Sequence, residues 1–468
     1  MPAYYAHIIG WGMYVPQKIV TNHDLTKIVD TSDEWIRSRT GIRERRIASE
    51  KDSTASMSTI AAKEALDRAR ILPSYVDLVI VATLTPEQPM PATANIVQDA
   101  IGAKGAAAFD LNAGCTGFIY ALSVAAGMLE AGRAKTAVVI GAETLSRVVD
   151  WEDRSTCVLF GDGAGAVVLQ ASENPGGVLS TVLGSDGAGA NHLIIPAGGS
   201  KMPASIQTVA ERQHYVKMKG PEVFRFATRI MGRAAKEACE QADVSLSDIN
   251  LFIPHQANAR IIKSAVKYLK LESGKVYENL QRYGNTSAAS IPIALCEAIN
   301  EGRVKTGDNL ALVGFGAGLT WGASVVRWGL PVPYQKRQKW YQGARWVYYR
   351  WANFISKLAW LLRVLEDHLP RRSTSPLEDK KPPKEQLPDK RETGSFYKPS
   401  APSHSDNGNG GGTVTISGTR TQIEAAASSP ELIEPDWDAP EGCFGAGFES
   451  RAAKIADGGC QQGWFWVS

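Results

Sequence analysis

Apolar, strand-like runs alternate with helix-like stretches through the first 330 residues, and the alternation runs through twice. DLVIVATL (77–84), AAAFDLN (106–112), TAVVIGAE (136–143) and GAVVLQA (165–171) read as buried strands, interspersed with helix-like stretches such as 56–70 and 115–131. GVLSTVL (177–183), INLFIPH (249–255), NLALVGF (309–315) and ASVVRW (323–328) repeat the scheme, with helices expected over 224–242, 257–270 and 291–301. Strands that are apolar at nearly every position must be covered on both faces, which places helices on both sides of each sheet. The expectation is an α/β fold of two related halves, 1–173 carrying Cys115 and 174–330 carrying His255 and Asn285. In each half a strand leads into a reactive residue and then a helix: Cys115 in the first, His255 in the second. A duplicated unit brings two such strand ends together, so Cys115 and His255 are expected in one cleft.

Composition excludes several function classes. Hydrophobic residues make up 44% and charged residues 21% of the 468, with a net charge of +3. That balance is ordinary for a soluble globular protein and too close to neutral for nucleic-acid binding over the whole surface. Cys115, Cys157, Cys239, Cys296, Cys443 and Cys460 are scattered without a CxxC pair, and no HExxH spacing occurs, so no metal site is expected. Sparse cysteine use fits a reducing cytosol, and the N-terminus lacks the basic and apolar regions of a secretory signal. No window approaches the roughly 20 apolar residues of a membrane span.

Cys115 lies in FDLNAGCTGF, between a strand-like and a helix-like stretch. The unpaired N–H groups and partial positive charge of a first helical turn favour a thiolate, the nucleophilic form of cysteine. Small neighbours (Ala113, Gly114, Gly117) leave room for a substrate. The plainer reading of a free cysteine is a small core residue. A cysteine nucleophile needs a partner for its proton, and PHQANARII supplies His255 and Asn258 at a strand end. An isolated histidine is more often a core residue, but Pro254, Gln256 and Asn258 crowd polar groups around this one. Asn285, in YGNTSAAS, reads equally as turn chemistry. GFGAGLTWG (314–322) is not a dinucleotide fingerprint, since a strand-like run follows it where a helix is required; such a loop can instead aim a backbone N–H at an oxyanion. GDGAGA (161–166) reads as a tight turn between strands.

AGCTGF, PHQANARI, YGNTSAAS and GFGAGLTWG, in that order, together with DTSDEWIRSRTGIRERR near the N-terminus, resemble the type III 3-oxoacyl-[acyl-carrier-protein] synthases of the thiolase superfamily. The resemblance covers roughly residues 4–330. It implies a thiolase-like duplicated α/β fold, layered αβαβα, and a Cys-His-Asn triad of Cys115, His255 and Asn285. It implies a ping-pong reaction in which Cys115 takes an acyl group from acyl-CoA. Malonyl on an acyl carrier protein then loses CO2, and the enolate attacks the acyl-cysteine. The substrates are thus acyl-CoA and malonyl-carrier, with no cofactor. The backbone N–H groups of Cys115 and Ala317 are the implied oxyanion hole, Ala317 standing where many relatives have Gly. His255 and Asn285 would donate to the enolate oxygen, Asn adding no negative charge to oppose it.

For CoA, the resemblance places Trp35 and Arg39 on the adenine with Arg154 on its other side, and Gly220 and Asn258 along the pantetheine tunnel. Trp35 reads otherwise as a core tryptophan, although DEW at a polar helix start favours an exposed position. Phe315 would pack near the sulfur. Met90, in a loop implied to cross the interface of a homodimer, would floor the partner's acyl pocket, and a short straight starter such as acetyl is the default. Arg260, Lys263, Lys267 and Lys270 fall near helical spacing on one face; acyl carrier proteins are acidic, so this face is expected to dock the carrier unless it is simply a solvated basic face. The alternatives are another thiolase-superfamily synthase (hydroxymethylglutaryl-CoA or polyketide-starter type), a cysteine hydrolase, or a non-catalytic acyl-thioester-binding scaffold.

Composition breaks near residue 330. Over 331–370, Val347, Trp351, Phe354, Leu358, Leu361 and Leu365 make a helical stripe among Arg345, Arg350, Lys357 and Arg363. A basic aromatic amphipathic helix of this kind, centred on 340–366, suits a membrane surface, the catalytic region's own surface or a partner alike. Residues 371–468, rich in Pro, Lys, Glu and then Gly, read as disordered.

Overall fold

The computed structural model describes residues 4–329 and position 358. The expected amphipathic helix, apart from position 358, and the low-complexity tail lie outside the described residues.

Two sheets form the frame. The first holds β1 (Tyr5–Tyr14), β2 (Leu78–Ala82), β3 (Ala107–Leu111), β4 (Thr136–Glu143) and β5 (Gly163–Ser172), in the spatial order β1-β5-β4-β2-β3. β2 runs parallel to both β3 and β4, while β5 is antiparallel to β4 and β1. The second sheet holds β6 (Gly177–Ser185), β7 (Ile249–Pro254), β8 (Asn309–Gly316) and β9 (Thr320–Arg327), in the order β7-β8-β9-β6. There β7 and β8 are parallel and the other pairs antiparallel. Both sheets therefore share one plan, with β6, β9, β8 and β7 standing for β1, β5, β4 and β2. The counterpart of β3 is reduced to a single parallel bridge between Phe252 and Val276.

Strand alternation sorts the core into layers. In β2, Leu78 and Ile80 face one cluster, whereas Val79 and Val81 face another formed with Ala61, Ala62 and Ala65 of α1 (Thr54–Ala69) and Val97 of α2 (Thr93–Ile101). The cluster of Leu78 and Ile80 also takes in α3 (Gly117–Glu130) and α6 (Ser290–Asn300), and from the second sheet Leu251, Ile253, Leu310 and Leu312. Ala311 and Val313 of β8 point the other way, onto α4 (Gly220–Gln241) and α5 (Ala259–Leu269). The result is a thiolase-like αβαβα stack with α3 and α6 between the sheets. The face of α3 that meets the sheets is accordingly apolar, with Phe118, Ile119, Leu122, Ala125 and Leu129 buried. Replacing its fully buried Phe118 by Ala would cost about 3–5 kcal/mol.

Two sequence expectations change here. GDGAGA is not a turn: Gly163 and Gly165 lie inside β5, where small residues let α6 approach. A Cβ on Gly165 would stand 2.7 Å from the Pro292 Cβ and the Ile293 nitrogen, and one on Gly141 of β4 would stand 2.2 Å from the Ala288 carbonyl oxygen. Cys115 and His255 are also not at equivalent strand ends. Cys115 follows β3, but His255 follows β7, the counterpart of β2. The true counterpart of the Cys115 segment leads from Val276 through Asn285 into α6. The two central helices are thus preceded by Cys115 and Asn285 respectively, and His255 comes from the neighbouring strand end.

Candidate active site

The turn from β3 into α3 runs against the loop joining β8 to β9, backbone on backbone. Two glycines permit this. Gly114 has φ +57° and a Cβ there would lie 2.9 Å from the Ala317 nitrogen; a Cβ on Gly316 would lie 2.6 Å from the Cys115 nitrogen. Thr320 pins the seam, its hydroxyl donating to the Ala113 carbonyl at 3.0 Å and meeting the Thr116 hydroxyl at 2.9 Å. The backbone N–H groups of Cys115 and Ala317 and the Ser287 side chain consequently lie near the Cys115 sulfur, where each favours its ionised form.

Cys115 stands just ahead of α3, as expected, but it is not a standing thiolate. Burial pushes the thiol from 9.0 up to about 12, with Glu143 opposing ionisation further. A helix terminus contributes at most ~2 kcal/mol, or roughly one and a half pKa units, so desolvation outweighs it. His255 is buried as well, and desolvation pushes its imidazole down to about 3. At neutral pH both groups are therefore uncharged.

His255 is fixed from two sides. Its backbone N–H donates to the Val313 carbonyl at 2.7 Å, and Nδ1 lies 2.6 Å from the Ser290 Oγ at the head of α6. Its ring meets Phe315 edge-on, with centroids 5.3 Å apart. Nε2 is buried and has no hydrogen-bond partner among the described residues. Asn285 is held by its main chain to residues 159–161, its N–H donating to the Leu159 carbonyl at 2.8 Å and its carbonyl accepting from Gly161 at 3.0 Å. Its Oδ1 accepts from the Ser287 N–H at 2.8 Å, which leaves the Nδ2 end for a ligand.

Cys115, His255 and Asn285 line one cavity of about 450 Å³, together with Phe315, Gly220 and Asn258. A second cavity, of about 570 Å³, reaches the sulfur from the side of Ala317 and is walled by Leu84, Leu145, Phe160, Leu193, Ile195 and Val216. The sulfur thus stands where the two cavities meet.

Comparison with known proteins agrees with this geometry. Residues 109–187 match the family 3-oxoacyl-[acyl-carrier-protein] synthase III, and residues 239–328 match that family's C-terminal region. The beta-ketoacyl-[acyl-carrier-protein] synthase III of Symbiobacterium thermophilum is 56% identical over 322 residues, 69% of this chain and 98% of that protein. The chain belongs to the beta-ketoacyl-[acyl-carrier-protein] synthase III family. It is accordingly a condensing enzyme of the acyltransferase class. The crystal structure of 3-oxoacyl-[acyl-carrier-protein] synthase III from Aquifex aeolicus superposes with a TM-score of 0.64 at 50% identity, covering 69% of this chain and all (100%) of that one. A priming beta-ketosynthase from a polyketide pathway superposes at 0.66 with 36% identity, over 70% of this chain and 98% of its own.

The remaining residues singled out for this family fall at several distances from the sulfur. Arg39 and Arg260 line the 450 Å³ cavity. Trp35 is half-buried rather than exposed, and the guanidinium groups of Arg39 and Arg154 each lie 4.9 Å from its ring centroid. Arg154 also donates to the Asp30 carbonyl at 2.8 Å. Asn258 caps α5: its Oδ1 accepts from the Arg260 N–H at 2.9 Å and its Nδ2 donates to the Arg39 carbonyl at 3.1 Å. One N–H and one lone pair of that amide are used within the protein, which fixes Asn258 at the wall of the 450 Å³ cavity and leaves its second N–H unassigned. Arg260 stacks over Phe224 at 5.1 Å, and Lys263, Lys267 and Lys270 are exposed on the same helix or its C-cap. Met90 is 85% exposed and lines neither cavity of its own chain.

Sequence reasoning missed Glu143, Ser287 and Ser290. A carboxylate closing an otherwise apolar strand, as Glu143 does in TAVVIGAE, was the available signal for the first. Ser287 and Ser290 were in view in YGNTSAAS but were read only as surroundings of Asn285.

Proposed function

We propose that this enzyme loads an acyl group from acyl-CoA onto Cys115 and condenses it with malonyl-acyl carrier protein, giving 3-oxoacyl-carrier, CO2 and CoA. The observation that carries this reading is the convergence of Cys115, His255 and Asn285 on one cavity, with Nε2 of His255 unpartnered. In the first half-reaction the sulfur attacks the thioester carbonyl, and the N–H groups of Cys115 and Ala317 receive the developing oxyanion. The C–S bond to CoA then breaks, the proton lost from the Cys115 thiol is balanced by the one CoA takes up as it leaves, and the acyl chain occupies the apolar 570 Å³ pocket. In the second, the malonyl thioester oxygen accepts from His255 Nε2–H and Asn285 Nδ2 while CO2 departs. The enolate carbon attacks the acyl-cysteine, the new C–C bond forms and the C–Sγ bond breaks. This role requires the proton of His255 on Nε2, so Ser290 donates its hydroxyl to Nδ1.

The adenine of CoA is proposed to enter between Trp35 and Arg154. A ring sandwiched there needs about 7 Å between its neighbours, two van der Waals spacings, so Arg154 must lift off the indole. The basic face of Arg260, Lys263 and Lys267 is proposed to dock the acidic carrier, and Met90 to complete the acyl pocket of a second copy in a cytoplasmic homodimer. Acetyl is the proposed starter. The basic aromatic run 340–366 is proposed to touch a membrane surface; equal liposome pelleting with and without residues 331–468 would reject that.

Intact-protein mass spectrometry tests the main reading. Incubation with a panel of acyl-CoAs should add one acyl group at Cys115, and malonyl-carrier should then remove it as 3-oxoacyl product. Loading followed by free acid alone would mark a hydrolase.

A further inference from the structure

His255 and Gln256 are neighbours in sequence, and between them they hold both ends of the loop that carries Asn285. Gln256 is buried just past the end of β7. Its Nε2 donates to the carbonyls of Pro254 at 2.7 Å and Tyr277 at 3.1 Å. Its Oε1 accepts from the backbone N–H groups of Asn279 at 3.0 Å and Leu280 at 3.2 Å. Both N–H groups and both lone pairs of the amide are therefore used, all of them on main chain. Asn279 and Leu280 open a single helical turn, Leu280–Tyr283, which the Asn279 side chain does not cap; it donates to Glu297 at 2.8 Å instead. Gln256 supplies the missing acceptor from another element. The turn closes on itself, with the Gly284 N–H donating to the Leu280 carbonyl at 2.8 Å, and Asn285 follows.

The far end of the loop is Ser290, whose Oγ lies 2.6 Å from Nδ1 of His255. The pair His255 and Gln256 thus grips the chain at Leu280, ahead of Asn285, and at Ser290, beyond it. The hydrogen bonds that Asn285 makes itself run to residues 159–161 and to Ser287, so they fix it against the first half and its own loop but not against the imidazole. The Ser290 contact orients the ring and leaves the chain ahead of Asn285 untied. Gln256 ties that side. Two donors that serve one oxygen must keep a set separation, and a misplacement of about 1 Å can cost roughly 10²-fold in rate.

On the condensing-enzyme reading, we propose that Gln256 sets the separation between His255 Nε2 and Asn285 Nδ2, so that both reach the same thioester oxygen as CO2 departs. Gln256 is a positioning residue. It lines neither the 450 Å³ nor the 570 Å³ cavity and acts through the main chain it binds. Acyl loading of Cys115 calls on neither donor, so it does not depend on this separation.

The test is Q256M in the full chain, which keeps the reach and bulk of the side chain and removes its hydrogen bonds. Malonyl-carrier decarboxylation, read as CO2 release, should fall about 10- to 100-fold. Loading from acetyl-CoA, read by intact-protein mass spectrometry, should stay within about twofold of wild type. With the Asn285 amide gone there is no separation left to set, so adding Q256M to N285A should cost about threefold or less. Q256N carries the same measurements if circular dichroism shows that Q256M does not fold; it keeps an amide but is one methylene too short to reach the two carbonyls and the helical turn together. Equal losses in both half-reactions, decarboxylation left at the wild-type rate, or full multiplication of the Q256M and N285A losses would overturn the proposal. The condensing-enzyme reading stands or falls separately, on whether the wild-type protein loads acetyl at Cys115 and passes it to malonyl-carrier.

Discussion

The Nδ1 of His255 lies 2.6 Å from the Ser290 Oγ, joining a strand end of the second sheet to the first residue of the helix between the sheets. When Ser290 donates there, as the proposed enolate role requires, the ring proton sits on Nε2. In S290A the favoured tautomer is no longer imposed, and one hydrogen bond worth about 0.5–1.5 kcal/mol is lost. Malonyl-carrier decarboxylation should fall by roughly 2- to 13-fold, whereas acyl loading of Cys115 should change little. Separate assays of the two half-reactions check the split.

Removing the Asn285 donor should act more strongly on the same step. N285A is expected to lose about 10²–10³ in condensation rate while still accumulating acyl-enzyme. Single-turnover mass spectrometry distinguishes this from C115S, which should not form the acyl-thioester.

The buried imidazole makes stability depend on pH. His255 titrates near 6.5 when unfolded and is pushed down to about 3 in the folded protein. Between those values the unfolded state binds the proton and the folded state does not. Its contribution is therefore complete above pH 6.5 and is lost as pH falls towards 3, with a limiting slope of about 1.4 kcal/mol per unit. Urea unfolding of wild type and H255N should diverge in that direction across this window.

Gly141 should tolerate no side chain. In G141A the new Cβ meets the Ala288 carbonyl oxygen at 2.2 Å, and α6 must shift. A cost of about 1–3 kcal/mol is expected, seen as a lower Tm. Because α6 carries Ser290 and follows Asn285, condensation should fall with it.

Reversing charge at Arg260 and Lys263 should raise KM for the carrier and leave acyl transfer from CoA intact. Initial-rate kinetics at low and moderate salt check this, since long-range attraction between exposed charges is screened.

What the sequence made legible was local. Cys115 between a strand and a helix, and a strand after GFGAGLTWG, follow from residues within a few positions of one another. The hydrogen bond from the Ser287 hydroxyl to Glu143 does not, because 144 residues separate them and no nearby pattern couples the two. GDGAGA was misread for a related reason: its glycines satisfy a neighbouring helix rather than a turn. The N-terminal strand Tyr5–Tyr14 was overlooked, since YAHIIGWGMY mixes apolar, glycine and polar residues without a clean period. Strand order is likewise non-local, so the correspondence between Cys115 and His255 could only be settled by the pairing of the sheets.

The shared plan of the two sheets has a consequence for how the protein tolerates change. On the proposed reading, neither copy of the repeated unit holds a complete reaction centre: one brings the sulfur, the other the imidazole and the carboxamide. Redundancy, the usual inheritance of a doubled gene, has been spent. A lesion in either copy has no understudy, and fragments severed between Ser172 and Gly177 should be silent apart and competent only when they reassemble.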